Sequence, residues 1–122
     1  MTNDFIKTDE VDKAILFYIR HKIEIAYWNK YQKEIEDSPF ENTGAEMIIT
    51  GEEFKIEIKA YDWNKEEDGY FKLWCFDKLF YEYKWYKHFM RGLEVKRHDE
   101  EREVFLSLVL EFLEDIDSVE IR

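Results

Sequence analysis

The first third of the chain has a hydrophobic pattern with the period of an α-helix. Thr8 is the predicted N-cap, and the two acidic residues after it lie in the first turn, where negative charge is favourable. The helix is expected to end before 37–39, because proline disfavours helical backbone at the residue that precedes it. The pattern therefore predicts a helix over 8–36. Its main apolar stripe consists of Val11, Ala14, Ile15, Tyr18, Ile19, Ile23, Ile25 and Ala26.

The apolar positions change side in the last part of this predicted helix. After Ala26 they are Trp28, Tyr31 and Ile35, which do not continue the first stripe. Two explanations fit this change. Either the helix bends near Ala26, or its C-terminal part packs against a second surface.

From Ala45 onward the period becomes two, which is the period of a β-strand. Between 54 and 61, apolar residues alternate with lysine and glutamate, and this alternation predicts a half-buried antiparallel strand. Gly51 and Gly92 mark turns. An antiparallel sheet is therefore predicted over 45–96. Its strands are expected at 46–50, 54–61, 70–76 and 79–86, with a short edge strand at 93–96.

The hairpin formed by 70–76 and 79–86 has a predictable register. A two-residue loop at 77–78 would place apolar residues of one strand on the same face as Glu82 and Lys84. A three-residue loop over 76–78 avoids this and sets Lys72 opposite Glu82, a favourable cross-strand pair. We therefore predict the second register, in which Cys75 pairs with Leu79, Leu73 with Tyr81 and Phe71 with Tyr83.

Residues 99–122 hold the clearest helical pattern and most of the negative charge. Nine carboxylates against two arginines give this segment a charge of −7, out of −11 for the chain. An amphipathic helix is predicted over 99–117, with its apolar stripe at Phe105, Leu108, Val109, Phe112 and Ile116. The opposite side forms an acidic ridge of Glu100, Glu103, Glu111, Glu114 and Asp115, which Asp117 extends.

These elements predict a single α+β domain over 1–122. It has an N-terminal long helix, a four- to five-stranded antiparallel meander sheet and a C-terminal acidic amphipathic helix. One hairpin face, with Leu79, Tyr81, Tyr83 and Trp85, is expected to be core. The other face carries aromatic residues and is an open platform if both helices cover the first face, or core if the long helix folds over it. Its aromatic residues are Tyr70, Trp74, Phe76, Phe80 and Tyr86.

Composition narrows the range of partners. The net charge of −11 disfavours contact with nucleic acid or with anionic membranes and favours a basic protein. A lone cysteine, Cys75, excludes an internal disulfide and is expected to be buried and unreactive. No secretory signal and no apolar run of about 20 residues is present, so we expect a cytoplasmic protein that does not enter a membrane.

Catalytic motifs are missing from the sequence. The pair Glu57 and Lys59 has the Glu-x-Lys spacing of a metal-dependent nuclease, but the spacing also occurs at 53/55, 82/84 and 94/96 and so carries little information. The histidines have no metal-ligand spacing, and neither a nucleophile elbow nor a glycine-rich phosphate loop is present. We therefore expect no enzymatic activity, no metal and no cofactor.

One segment, 84–98, departs from the general acidity, because basic residues alternate there with aromatic ones. Such a pattern can bind single-stranded nucleic acid through stacking and phosphate contacts. Alternatively, the acidic helix that follows neutralises the segment internally, which is the interpretation we favour. The residues of this alternative anionic-ligand patch are Lys84, Trp85, Lys87, Arg91, Lys96 and Arg97.

Small size, strong acidity, many aromatic residues and the lack of a catalytic motif resemble the phage- and virus-encoded inhibitors of bacterial or archaeal defence, which include anti-CRISPR proteins and DNA mimics. The resemblance lies in composition and architecture and covers no alignable residues. It implies a cytoplasmic inhibitor, in the host cytoplasm if the protein is viral. The chain is also similar in outline to immunity proteins that neutralise basic nuclease toxins, and to small acidic secretion chaperones, for which a homodimer is expected.

The sequence therefore predicts a small acidic protein that binds and occludes a basic partner that handles nucleic acid. The acidic ridge would make the electrostatic contact. Exposed aromatic side chains would add binding affinity, because charged groups contribute more to steering the partners together than to the affinity of the complex. The predicted anchors are Trp63, Trp74 and Tyr86.

Overall fold

A computed structural model describes residues 5–36, 38–41, 43–97 and 102–122. In this part of the chain, seven antiparallel strands form one sheet in the order β1-β6-β5-β4-β3-β2-β7, and two helices, α1 and α2, pack on it. The elements are β1 Ile6–Lys7, α1 Glu10–Tyr31, β2 Glu46–Thr50, β3 Phe54–Lys59, β4 Gly69–Cys75, β5 Lys78–Trp85, β6 Glu94–Lys96, α2 Arg102–Phe112 and β7 Ser118–Ile121.

The α+β class is confirmed, but the sheet has more strands than the four or five predicted. The two missed strands, β1 and β7, lie at the edges of the sheet and pair with β6 and β2. Each has at most four residues, too few to show a period of two. The chain after α2 was predicted to continue as helix to 117, whereas α2 ends at Phe112 and β7 follows at Ser118.

The first helix is shorter than predicted at both ends. Asp9, not Thr8, is its N-cap, and Asp9 and Asp12 form a reciprocal capping box. Thr8 instead donates a hydrogen bond from Oγ1 to the carbonyl of Leu93 (3.2 Å). At the other end, Gln32 adopts the left-handed conformation (φ 56°), which ends the helix before residue 36.

The buried face of α1 also differs from the predicted stripe. Val11, Tyr18 and Ile25 are exposed, although the period placed them in the core. The helix is apolar on two sides, and the period alone does not say which side faces the sheet. The face that packs on the sheet consists of Asp12, Ile15, Leu16, Ile19, Ile23 and Tyr27.

The β4–β5 hairpin has the predicted register in its middle and a different turn. Lys72 lies opposite Glu82, and the pairs Leu73–Tyr81 and Phe71–Tyr83 are as predicted. The loop, however, contains two residues, Phe76 and Asp77, both with positive φ (50° and 64°). A bulge beyond Leu73 absorbs the extra residue, so that Cys75 pairs with Lys78 rather than with Leu79.

Both helices contribute to one hydrophobic core on one face of the sheet. Phe105 of α2 stacks on Tyr81 with ring centroids 3.7 Å apart, and Phe112 stacks on Phe54 at 4.4 Å. The opposite face carries charged cross-strand pairs such as Lys72–Glu82, and neither of the described helices covers it. Neither helix is long and apolar enough to cross a bilayer.

A buried ion pair fixes where both helices begin. The carboxylate of Asp12 is fully buried on the sheet side of α1 and accepts hydrogen bonds from Arg97 Nε (2.9 Å) and Nη2 (3.1 Å). Arg102, the first residue of α2, lies 3.5 Å from the same carboxylate and 2.7 Å from Asp9. The Tyr83 hydroxyl donates to the backbone carbonyl of Asp12 (3.3 Å). These contacts join α1, β5, the end of β6 and α2 at one point.

We expect Asp12→Ala to lower the free energy of unfolding by about 3–5 kcal/mol, because it leaves the buried Arg97 guanidinium without its principal partner. Urea denaturation followed by tryptophan fluorescence measures this. The control is Glu10→Ala, which removes an exposed pair with Lys13 (3.5 Å) and should cost less than about 1 kcal/mol. Equal losses in the two variants would contradict the structural role of the buried pair.

Asp9 makes stability depend on pH. A hydrogen bond from the Asp12 backbone and the guanidinium of Arg102 lower the pKa of Asp9 to about 2. A carboxyl with a lowered folded-state pKa stabilises the protein above its unfolded pKa of about 3.9, and the contribution is lost as pH falls towards 2. Wild type should therefore be more stable than Asp9→Asn at neutral pH, and the difference should disappear between about pH 4 and about pH 2. Urea titrations across this range test it, and a difference that is independent of pH would contradict it.

Candidate protein-binding surface

Sheet register brings three acidic segments to one end of the molecule. The β2–β3 turn and the β4–β5 turn are neighbours there, since Phe54 pairs with Cys75 and the Phe76 N–H donates to the Glu53 carbonyl (3.2 Å). The chain after α2 joins them where the Asp117 N–H donates to the Thr50 carbonyl (2.8 Å). We call this surface the acidic end. It consists of Glu52, Glu53, Asp77, Glu111, Glu114, Asp115 and Asp117.

The carboxylates of the acidic end are exposed, and none of them forms an ion pair with any described residue. Of the lysines near this surface, Lys78 directly follows Asp77, whereas Lys55 and Lys30 have other contacts. Lys55 lies 3.6 Å from Glu57 and 5.3 Å from the Trp74 ring centroid, and Lys30 donates to the Ile116 carbonyl (3.3 Å). The C-terminus of α2 adds the negative end of its helix dipole. The surface therefore carries a concentrated negative potential.

An aromatic side chain stands within the acidic end. Phe76 is 75% exposed, because the left-handed turn at 76–77 directs it away from the core. It borders a shallow cavity of about 420 Å³. Trp74, one of the predicted anchors, is half-buried in the same cavity wall. The cavity is lined by Gly51, Glu52, Glu53, Phe54, Lys55, Trp74, Phe76 and Asp77.

The other two predicted anchors lie at the opposite end of the sheet. Trp63, in the β3–β4 connection, and Tyr86, after β5, each pack edge-on against Tyr61, at 5.4 and 5.7 Å between ring centroids. The Lys87 ammonium lies 5.6 Å from the Trp63 ring and 5.3 Å from the Tyr86 ring. They therefore form an aromatic cluster of their own, separate from the acidic end.

The predicted acidic ridge is divided in the same way. Glu111, Glu114, Asp115 and Asp117 belong to the acidic end, and the last three lie beyond the final residue of α2. Glu103 is in the first turn of α2, about 12 Å from Glu111 along the helix axis. Glu100 lies outside the described residues.

Sequence reasoning missed Glu52, Glu53, Asp77 and Phe76 as members of this surface. The first two follow Gly51, and the other two form a hairpin loop, so all four lie in turns. Their position in turns is the only sequence feature that could have identified these four residues. The hairpin prediction placed a turn at Phe76 and Asp77, but only the pairing of β3 with β4 puts it beside the β2–β3 turn.

The alternative anionic-ligand patch is dispersed by the fold. Trp85 is 1% exposed and packs edge-on against Phe89, so it offers no surface for stacking with a base. The Arg97 side chain is 6% exposed and bound to Asp12. Lys84 lies 3.6 Å from Glu94, Lys96 is opposite Glu82 in the sheet, Lys87 rests on the aromatic cluster, and Arg91 is exposed in the loop after β5.

Part of the basic segment is thus paired within the fold, whereas the acidic residues 99–101 that were expected to neutralise it lie outside the described residues. We predicted that the acidic helix would neutralise it. In the structure, carboxylates at the start of α1 and on β6 do so, namely those of Asp9, Asp12 and Glu94. The acidic end remains unneutralised as a result.

The residues considered for catalysis, Glu57, Lys59 and Cys75, either form ion pairs with other side chains or are partly buried. Glu57 lies 3.6 Å from Lys55, and Lys59 lies 2.9 Å from Glu67. Burial raises the pKa of the Cys75 thiol, which disfavours the reactive thiolate. Among the described residues, no group of three histidine, cysteine, aspartate or glutamate side chains is arranged to hold a metal ion.

Functional information for this chain comes from its own surface, because comparison with known proteins gives no match. No family model matches the sequence, and no curated protein or solved structure matches it.

Proposed function

We propose that the protein binds the basic surface of a partner protein that handles nucleic acid, and occludes that surface. The supporting observation is the acidic end, where three separate segments place exposed carboxylates that pair with no described residue, and where Phe76 lies beside those of Glu52, Glu53 and Asp77. A negative surface steers a basic partner into contact, and an exposed aromatic side chain supplies desolvated contact area. The binding mode is steric occlusion and requires no chemistry.

The charge arrangement supports binding over simple solubility. Glu114, Asp115 and Asp117 follow the C-terminus of α2, where the helix dipole disfavours negative charge by about 0.3–1 kcal/mol per residue. Lysine at these positions would have served solubility and stabilised the helix. Acidic residues occupy these positions although they oppose the dipole, and this favours a role in recognition.

Within this proposal, the class favoured by the resemblance is an anti-defence inhibitor of the anti-CRISPR or DNA-mimic type. An immunity protein for a basic nuclease toxin uses the same surface chemistry and remains the alternative, with an acidic secretion-type chaperone third. Direct nucleic-acid binding is disfavoured, because Trp85 and Arg97 are engaged inside the fold.

We expect the triple variant Glu111→Lys, Glu114→Lys and Asp115→Lys to lose partner binding by about 100-fold, since like charges then face each other across the interface. Folding should be spared, because these side chains are exposed and make no ion pair with described residues. The measurement is affinity capture from nuclease-treated host lysate with mass spectrometry, scored for proteins of pI above about 9.

The matched control for this variant is Glu34→Lys, Glu36→Lys and Asp68→Lys. These residues are exposed and none of them belongs to the acidic end: Glu34 lines the groove between α1 and 34–38, and Asp68 lies in the β3–β4 connection. Each triple variant changes the net charge by the same amount, from −11 to −5. The control should retain capture of the basic proteins. Equal capture by both variants would remove the acidic end from the proposal.

A gel shift separates this proposal from the nucleic-acid alternative. We expect no binding to single-stranded DNA or RNA at low salt, because the phosphates meet a chain of net charge −11. The variant Lys87→Glu with Arg91→Glu is the companion measurement. A shift with wild type that this variant abolishes would establish the basic segment as the binding surface and overturn the proposal.

A further inference from the structure

α1 presents a second apolar face, opposite the face that packs on the sheet. The positions alternate in steps of three and four, which is the heptad spacing of helices that pair along their length. Phe17, Val11 and Trp28 are 60%, 53% and 48% exposed, so the stripe is open to solvent. Its residues are Val11, Ala14, Tyr18, His21, Ile25 and Trp28, with Phe17 beside it.

This face has the shape of a ridge between two grooves. One groove, of about 570 Å³, separates α1 from the chain at and after the end of α2. The other, of about 490 Å³, separates α1 from 34–38. Ile25 lines both, so the ridge runs between them. A ridge with a groove on each side can interdigitate with the same ridge of a second copy, as a two-fold symmetric interface requires.

The charge of α1 is also compatible with contact between this helix and α1 of a second copy. The helix has four basic residues (Lys13, Arg20, Lys22 and Lys30) and three acidic ones (Glu10, Asp12 and Glu24), a balance of +1 in a chain of −11. Two copies that met through the acidic end would repel each other, whereas α1 against α1 brings no such repulsion. A strongly cationic or anionic partner gains nothing from this nearly neutral face.

The available area is sufficient for a specific interface. A 22-residue helix is about 33 Å long, and covering one side of it with the adjoining groove walls buries roughly 500 Å² per protomer. The total of about 1,000 Å² reaches the minimum expected of a biological interface and lies just below the range of about 1,200–2,000 Å² that is typical of stable ones. Phe17, Tyr18 and Trp28 contribute most of it, because aromatic side chains have the largest apolar surfaces.

We propose that α1 pairs with α1 of a second copy, in antiparallel orientation, to form a two-fold symmetric dimer. In this orientation Val11 faces the second copy's Trp28 and Ala14 faces its Ile25, so each small side chain meets a large one. A parallel pair would instead place large residues on large ones and align the two helix dipoles unfavourably. The dimer leaves the acidic end exposed except at Glu114, which lines the groove beside α1, and it does not depend on the proposed function.

The first test is the mass in solution. Wild type should have twice the chain mass of 15.1 kDa by light scattering, and Phe17→Lys with Ile25→Lys should weaken dimerisation by about 100-fold or more, because it places unpaired charge in an apolar interface. The control is Ile6→Lys with Val104→Lys, which changes the charge equally at exposed apolar positions elsewhere and should remain dimeric. Circular dichroism verifies that each variant is folded.

A monomeric wild type across the concentration range overturns the proposal, as does a dimer that the α1 variant leaves intact. The double variant Glu111→Lys with Asp115→Lys, which spares the groove residue Glu114, should dimerise as wild type does, so failure of this proposal and failure of the proposed function are distinguishable.

Orientation is tested by cross-linking in a Cys75→Ser background. When Ala14→Cys and Ile25→Cys proteins are mixed and oxidised, a heterodimeric disulfide should form, because the two positions face each other in the antiparallel pair. Ala14→Cys alone should not cross-link, since its two copies lie about 16 Å apart along the axis. Cross-linking of Ala14→Cys alone would show a parallel pair and overturn the proposed orientation.

Discussion

The buried ion pair between Asp12 and Arg97 links the start of α1 to the end of β6 and, through Arg102, to the start of α2. A carboxylate on the buried side of α1 is tolerated only with a positive, hydrogen-bonded partner, and Arg97 provides it at 2.9 Å. Arg102 approaches the same carboxylate, so α2 must begin where α1 begins. Both helices are thereby held on one face of the sheet, and the other face stays open.

The same interaction determines the charge distribution of the surface. Arg97 and Arg102 are held by the start of α1, and Lys84 and Lys72 pair with glutamates across the open sheet face. At the end of the molecule where α2 terminates, by contrast, no carboxylate of the acidic end is paired with a described residue. This asymmetry supports the proposed function more directly than the net charge does.

Much of the fold was predictable wherever the local sequence pattern is compatible with only one structural arrangement. The pairing of Lys72 with Glu82 followed from charge and alternation, and the structure confirms it. The predicted turn of this hairpin was wrong, because a bulge changes the strand pairing without changing the hydrophobic pattern. At the candidate surface, the acidic residues around α2 were predicted from periodicity. Glu52, Asp77 and Phe76 were not predicted as part of this surface. They come together only through the pairing of strands whose residues are far apart in sequence.

Period and composition were enough to predict the α+β class, most of the strands and the concentration of negative charge near the C-terminus. The buried side of α1 became clear only from its packing, because both sides are apolar and Asp12 selects one through Arg97. The tertiary structure also decided that the acidic residues after α2 face away from the basic segment and meet two acidic turns. Hydrogen bonding of β7 to β2 fixes that position, and no local pattern contains this information.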